Sequence, residues 1–174
     1  MRKQPFLFAI SGVKNSGKTT LIEKLIPVLN SRGLQVAVIK HDGHDFSADV
    51  PGTDSYRYQA AGAFGSAVFS DSKYLIVKKQ RNTSYRSLAA AFPEADVVLL
   101  EGFKYSLLPK AELVRKGNSA TCVCDPKTVQ VIVSDFIPKH EDGIPVLTFE
   151  ETGRLADIII EKMHNVPEMD DTMR

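Results

Sequence analysis

Residues 6–29, FLFAISGVKNSGKTTLIEKLIPVL, set an apolar run directly before a glycine-bracketed polar loop and an amphipathic segment directly after it. Phe6 to Ile10 is continuous, apolar and partly aromatic or β-branched, which predicts a strand covered on both faces. From Thr19 to Asn30 the apolar residues Leu21, Ile22, Leu25, Ile26 and Leu29 share one helical face, and Gly33 is placed to end that helix. QVAVIKH, residues 35–41, reads as a second buried strand. Strand, helix and strand in so short a span form a βαβ unit, whose strands run parallel with a right-handed crossover. A chain that starts this way is committed to an open α/β sheet.

The loop itself carries the chemistry. Gly12 to Thr19 fits the Walker A pattern G-x-x-x-x-G-K-[ST], and it lies where that pattern has physical meaning, after a buried strand and at the start of a helix. Glycines at 12 and 17 let the backbone turn with its N–H groups inward, and Lys18 adds a point charge at the helix N-terminus. Gly12, Asn15, Ser16, Gly17, Lys18, Thr19 and Thr20 are therefore candidates to hold a polyphosphate, with Thr19, or else Thr20, offering a hydroxyl to Mg²⁺. A metal held in this way needs an acid nearby. ADVVLLEG, residues 95–102, supplies Asp96 at the start of a very apolar strand and Glu101 at its carboxyl end. Ligands of open α/β sheets sit beyond the carboxyl ends of strands, which favours Glu101 as metal ligand and catalytic group beside Lys18.

KHDGHDF, residues 40–46, follows the second strand and gathers Lys40, His41, Asp42, His44 and Asp45, with Asp49 and Asp54 close behind. His41 and His44 suit a transition metal, an anion or Mg²⁺-linked role, or plain loop structure, and the sequence leaves these open. The aspartates are equally open, because caps and turns use aspartate freely. Lys104, just after Glu101-Gly102-Phe103, is a further candidate cation.

Further along, a short helix is predicted from about Asp54 to Ala61, capped by Thr53 or Asp54, then a hairpin of GSAVFS and YLIVKK turning at Asp71 and Ser72. A helix over 84–92, a central strand in 95–102, strands near 111–115, 129–133 and 145–148, and a final helix over about 150–164 complete the pattern. The expected fold is a P-loop NTPase-like three-layer α/β domain over 1–166, with a mostly parallel sheet, an added β-hairpin and a frayed tail at 167–174. The start MRKQPFLFAIS imitates a signal peptide, but its apolar run is too short for one and reads as the first strand. Twenty-two basic against 21 acidic residues give no global field that would draw nucleic acid or a membrane, and no stretch is apolar enough to span one. Cys122 and Cys124 lie two apart, where a strand would send them to opposite faces, so they are expected to be core thiols in a reducing cytoplasm.

GVKNSGKTTL, KHDGHDFSADVPGTDSYRYQAAGA, VVLLEGFK and PKAELVR, in this order, closely resemble MobB, the adaptor family of molybdopterin-guanine dinucleotide biosynthesis. The resemblance implies GTP binding with Mg²⁺, weak GTP hydrolysis, a homodimer, and work with the guanylyltransferase MobA, with direct contact to molybdopterin left open. It places Gly12, Asn15, Gly17, Lys18 and Thr19 on phosphates, His41, His44, Asp45, Asp49 and Asp54 in a second motif, and Glu101 and Lys104 in EGFK. No N-K-x-D guanine signature is present, although Asp135 of VSD offers a carboxylate for the two guanine N–H donors. The other reading of the same residues is a small P-loop kinase acting on a cofactor precursor, with Glu101 or an aspartate of 42–54 orienting the acceptor hydroxyl.

Overall fold

A computed structural model describes residues 4–43, 46–140 and 143–165 of the chain. In chain order the elements are β1 Phe6–Gly12, α1 Lys18–Ser31, β2 Val36–Lys40, α2 Asp54–Ala60, β3 Gly65–Phe69, β4 Tyr74–Lys78, α3 Tyr85–Ala89, β5 Val97–Glu101, β6 Lys110–Val114, β7 Val129–Ser134, β8 Val146–Leu147 and α4 Thr152–His164. They gather into two compact units, one made of the chain up to His41 together with the chain from Leu88 onward, the other of Asp42–Ser87.

The larger unit is built on a six-stranded sheet in the order β2-β5-β1-β6-β7-β8. All of its strand pairings are parallel. The first βαβ crossover therefore skips a place, since β1 and β2 both pair with β5, which enters between them. β5 has Val97–Leu100 fully buried, as the most apolar strand should, and it is an interior strand one place from the sheet edge. Chain connections leave β1 toward β2 on one side, while β6, β7 and β8 build outward on the other. The gap between the carboxyl ends of β1 and β6 is thus a switch point of the kind where open α/β sheets bind ligands.

Helical periodicity decides which face is covered. Leu21, Ile22, Leu25 and Leu29 of α1 and Leu155, Ala156 and Ile159 of α4 share one core with Phe8, Ile10, Leu99, Leu113 and Val133 from the sheet. Alternate residues on the other face, Ala9, Val98 and Leu100, are also fully buried, as expected of parallel strands covered on both sides. Gly33 follows the C-cap Arg32 with φ +81°, in the left-handed conformation that ends helices. α3, Tyr85–Ala89, is shorter than the helix predicted over 84–92. Ala91 and Phe92 donate to Leu88 and Ala89 carbonyls three residues back, tightening the last turn ahead of Pro93.

In the smaller unit Thr53 caps α2, its Oγ1 accepting from the Tyr56 amide at 3.4 Å. β3 and β4 form the expected antiparallel hairpin, with Phe69 opposite Tyr74 and Ser70 N–H donating to the Lys73 carbonyl at 2.8 Å.

The cysteines correct one expectation. Cys122 and Cys124 lie in an irregular segment, not a strand, and both pack on the cluster of Val114, Val129 and Ile132 as free thiols. Burial first, and then the nearby Glu112 carboxylate, push Cys122 up to about 11 and Cys124 up to about 12. Both thiols are therefore protonated at pH 8 and should react slowly with iodoacetamide until the protein unfolds; rapid labelling of the native chain would contradict this burial. Because both folded values lie above the ordinary 9.0, the stability they contribute is intact below pH 9 and declines as pH rises toward 11–12. Leu25→Ala, which empties a fully buried site on α1, should cost about 2–5 kcal/mol in urea denaturation. A loss under about 1 kcal/mol would mean that α1 is not packed as described.

Candidate phosphate-binding site

β1 ends in a turn that only glycine can make. At Gly12, φ is +142° and an added Cβ would lie 2.6 Å from the Leu113 carbonyl oxygen of β6 and 2.9 Å from Ser16 Oγ. The loop then passes through Asn15, a non-glycine in the left-handed region at φ +61°, and Gly17 at φ +93°, which is the N-cap of α1 and offers no side chain to cap it. The first helical bond runs from Leu21 N–H to the Gly17 carbonyl at 2.9 Å. Amides of the first turn ahead of Leu21 therefore lack helical acceptors, at the positive end of a 14-residue helix. Ser16 Oγ is buried in the same loop without a hydrogen-bond partner.

Lys18 folds back over this loop, its Nζ donating to the Val13 carbonyl at 2.7 Å and approaching the Gly12 carbonyl at 3.4 Å. Desolvation pulls its pKa below 10.5, Glu101 pushes it back up, and Lys40 and Lys104 add to the lowering. Three ammonium groups thus share one electrostatic neighbourhood with one carboxylate. That carboxylate belongs to Glu101, whose oxygens accept from Thr19 Oγ1 at 3.1 and 3.2 Å and lie 3.7 Å from Lys40 Nζ. Its side chain is only 11% exposed.

The predicted residues separate clearly in space. Gly12, Asn15, Ser16, Gly17, Lys18, Thr19 and Thr20 line the β1–α1 turn, and Thr19 is the threonine that meets Glu101. Asp96, the other acid weighed, lies at the opposite end of β5 and accepts from the Gln35 amide at 2.9 Å. His41 lies 5.8 Å, ring centre to ring centre, from Phe103 with the two rings tilted by 59°, and Lys104 sits 4.8 Å above the Tyr105 ring. Asp49 and Asp54 belong to the smaller unit. Asp49 accepts from Val50 N–H at 2.8 Å, Thr53 Oγ1 at 3.1 Å and Gln59 Nε2 at 3.1 Å, and hydrogen bonds, led by that from Ser55, lower its pKa. Asp54 pairs with Arg57 one helical turn on, at 3.4 Å. His44 and Asp45 lie outside the described residues.

Three supporting residues were not read as site residues from the sequence. Ser11 Oγ donates to the Gly102 carbonyl at 2.5 Å and so ties β1 to the turn after Glu101. Lys110 is fully buried and donates to the carbonyls of Phe103, Lys104 and Ser106 at 3.3, 3.1 and 2.6 Å, fixing the turn that carries Lys104. Arg115 extends from the end of β6 past Phe149, 4.7 Å from its ring, to reach within 3.1 Å of where a Gly17 Cβ would stand. A lysine opening an apolar strand was the available signal for Lys110. Nothing in sequence spacing announces Ser11 or Arg115, because each acts through a strand neighbour distant in the chain.

A parallel sheet with this loop at its switch point defines an α/β protein of the P-loop class. The family described as "Molybdopterin guanine dinucleotide synthesis protein B", MobB, matches residues 7–135. A molybdopterin-guanine dinucleotide biosynthesis adapter protein of Haemophilus influenzae is 40% identical over 168 residues, covering 95% of this chain and 93% of its own. The protein of the same description from Escherichia coli K12 is 33% identical over 165 residues, covering 90% and 93%. The crystal structure of Bacillus subtilis MobB superposes with a TM-score of 0.72 at 26% identity, covering 90% of this chain and 96% of that one. The chain belongs to the MobB family of molybdopterin-guanine dinucleotide biosynthesis adapter proteins.

Replacing Lys110 by Met keeps the length of the side chain but removes its bonds to the Lys104 and Ser106 carbonyls and one of three to the Phe103 carbonyl, which keeps those from Ser106 N–H and Oγ. This should destabilise the fold by at least about 1–3 kcal/mol and speed amide exchange across 103–106. Unchanged stability and exchange would remove Lys110 from its positioning role.

Proposed function

We propose that this chain is a GTP-binding accessory protein in the assembly of the guanine dinucleotide form of molybdopterin, working in the cytoplasm with a MobA-type guanylyltransferase. The observation that carries this reading is the contact of Thr19 with Glu101 at 3.1 Å, directly below a helix N-terminus whose neighbouring lysine rests on backbone carbonyls. In this reading the amides from Asn15 to Thr20 and the Ser16 hydroxyl receive phosphate oxygens, and Lys18 exchanges the Val13 carbonyl for a phosphate. His41 and Lys104 border the site as further donors to an anion.

Thr19 and Glu101 suit Mg²⁺, since hard oxygen donors are what that ion selects. Among the described residues no group of three or more His, Cys, Asp or Glu is placed to hold a metal, so the remaining ligands would be phosphate and water. Bound there, Mg²⁺ would neutralise charge on the bridged phosphate oxygens. Hydrolysis should be slow without a partner's cation. Direct binding of molybdopterin is compatible with this role and is not required by it.

Calorimetric titration tests the reading. GTP with Mg²⁺ should bind, and Lys18→Ala should weaken it by about 10–150-fold, the worth of a hydrogen bond to a charged group. GTP turnover should rise when the MobA-type enzyme is added. Rapid phosphate transfer to an added small-molecule acceptor would replace the adaptor reading with that of a kinase.

The homodimer is proposed on separate grounds. β3 and β4 are a two-stranded sheet with Phe69, Tyr74 and Ile76 exposed at 84%, 69% and 62%, and an isolated pair of strands with apolar side chains invites pairing with a second chain. Sedimentation at micromolar concentration should give a dimer that Ile76→Lys shifts toward monomer. A monomeric native chain would overturn this part of the proposal.

A further inference from the structure

The chain that leaves β6 braces the phosphate loop from outside. β6 pairs with β1 as far as Leu113 opposite Gly12, so the two segments leave the sheet side by side. The one after β6 folds back at once: Asn118 N–H and Ser119 N–H both donate to the Arg115 carbonyl, at 3.0 and 2.9 Å, and Gly117 takes φ +79°. β7 secures this turn through Asp135, which follows its last residue and whose Oδ1 accepts from Lys116 N–H at 2.8 Å. Two side chains of the turn then reach the loop after β1. Asn118 Nδ2 donates to the Lys14 carbonyl at 3.0 Å. Arg115, its guanidinium over the Phe149 ring, comes within 3.1 Å of where a Gly17 Cβ would stand. These contacts bracket Asn15 and Ser16, the second of which keeps its hydroxyl buried without a partner.

A trans peptide is planar, with its C=O and N–H pointing in opposite directions. The Lys14 carbonyl and the Asn15 amide belong to one such unit. Because Asn118 holds the carbonyl, the Asn15 N–H is turned away from the 115–119 turn. Among the described residues none accepts a hydrogen bond from it. Asn15 also has φ +61°, a conformation that a side chain disfavours and that the flanking contacts must therefore maintain.

We infer that Asn118 is a positioning residue for anion binding: by holding the Lys14 carbonyl outward, it fixes the Asn15 N–H in the direction from which the loop meets a phosphate oxygen. This inference rests on the proposed binding of a nucleoside triphosphate at that loop. A carbonyl only accepts, so the residue opposite it must donate, and an uncharged amide does so without adding a cation to a neighbourhood that already holds Lys18, Lys40 and Lys104. Ordering one peptide before the ligand arrives lowers the entropy lost on binding, and that saving appears as affinity. Asn118 is exposed and has little packing to lose, so removing its amide should loosen the loop and leave the fold intact.

The test uses the full chain with Mg²⁺ and two ligands, GTP and inorganic tripolyphosphate, titrated against the native protein, Asn118→Ala and Asn118→Leu, the last close to asparagine in shape but without a donor. Both variants should bind both ligands about 3–10-fold more weakly, the worth of one neutral hydrogen bond. The factor should be the same for the two ligands, because Asn118 acts through the loop and not on the nucleoside. Without ligand, melting temperatures should stay within about 2 °C of the native value. In a spectrum of the ¹⁵N-labelled chain, saturating tripolyphosphate should move the Asn15 amide proton downfield, and less far in Asn118→Ala. Native affinity in both variants would overturn the inference. So would a loss confined to GTP, which would make Asn118 a contact to the nucleoside, or a melting temperature lowered by more than about 5 °C in both variants, which would make it a residue of the fold. If the native chain binds neither ligand, the proposed function falls together with this inference.

Discussion

Everything at the carboxyl edge of the larger sheet depends on one close approach, that of Gly12 to the Leu113 carbonyl of the neighbouring strand. A side chain there would begin 2.6 Å from that oxygen, so β1 and β6 can pair to their ends and the chain can still turn away between them only if residue 12 has no Cβ. The turn that results faces the switch point of the sheet. From it α1 starts without a side-chain cap, and its first amides remain available to whatever anion enters. The core secures this arrangement from below, because α1 and α4 both press Leu and Ile side chains onto β1 and its neighbours.

Charge is organised around the same turn. Lys18, Lys40 and Lys104 influence one another across a single carboxylate, Glu101, and burial adds to the cost of keeping Lys18 charged. Lys18 offsets part of that cost by donating to the carbonyls of Gly12 and Val13. In the proposed reading, a polyphosphate would supply a stronger acceptor to a cation that burial already desolvates. Ser11 and Lys110 do not take part directly. They hold the turn that follows Glu101 by bonding its backbone carbonyls, which is how a buried serine and a fully buried lysine are accommodated.

Much of this was legible in the sequence, and the reasons are local. Continuous apolar runs at 6–10 and 97–100 could only be strands covered on both faces, and the Leu21, Leu25, Leu29 spacing fixed the buried side of α1. The choice of Glu101 over Asp96 followed from which end of a parallel strand faces ligands, and the structure places them at opposite ends of β5. Long-range order was not legible. No local pattern says that β5 enters between β1 and β2, that Cys122 and Cys124 share one cluster, or that Asn118 reaches Lys14 across 104 residues. The aspartates of 42–54 remained ambiguous for a chemical reason: an aspartate that caps a turn, as Asp49 does, and one that serves a ligand have the same local sequence preferences.

The account's central claim is that the β1–α1 turn is a cradle for a nucleoside triphosphate. The most direct measurement is a crystal structure of the chain with a non-hydrolysable GTP analogue and Mg²⁺. The account predicts phosphate oxygens against the amides from Asn15 to Thr20, Lys18 Nζ moved from the Val13 carbonyl to a phosphate, and Thr19 Oγ1 turned from Glu101 to the metal. A nucleotide bound elsewhere, with Lys18 still resting on the Val13 carbonyl, would contradict it.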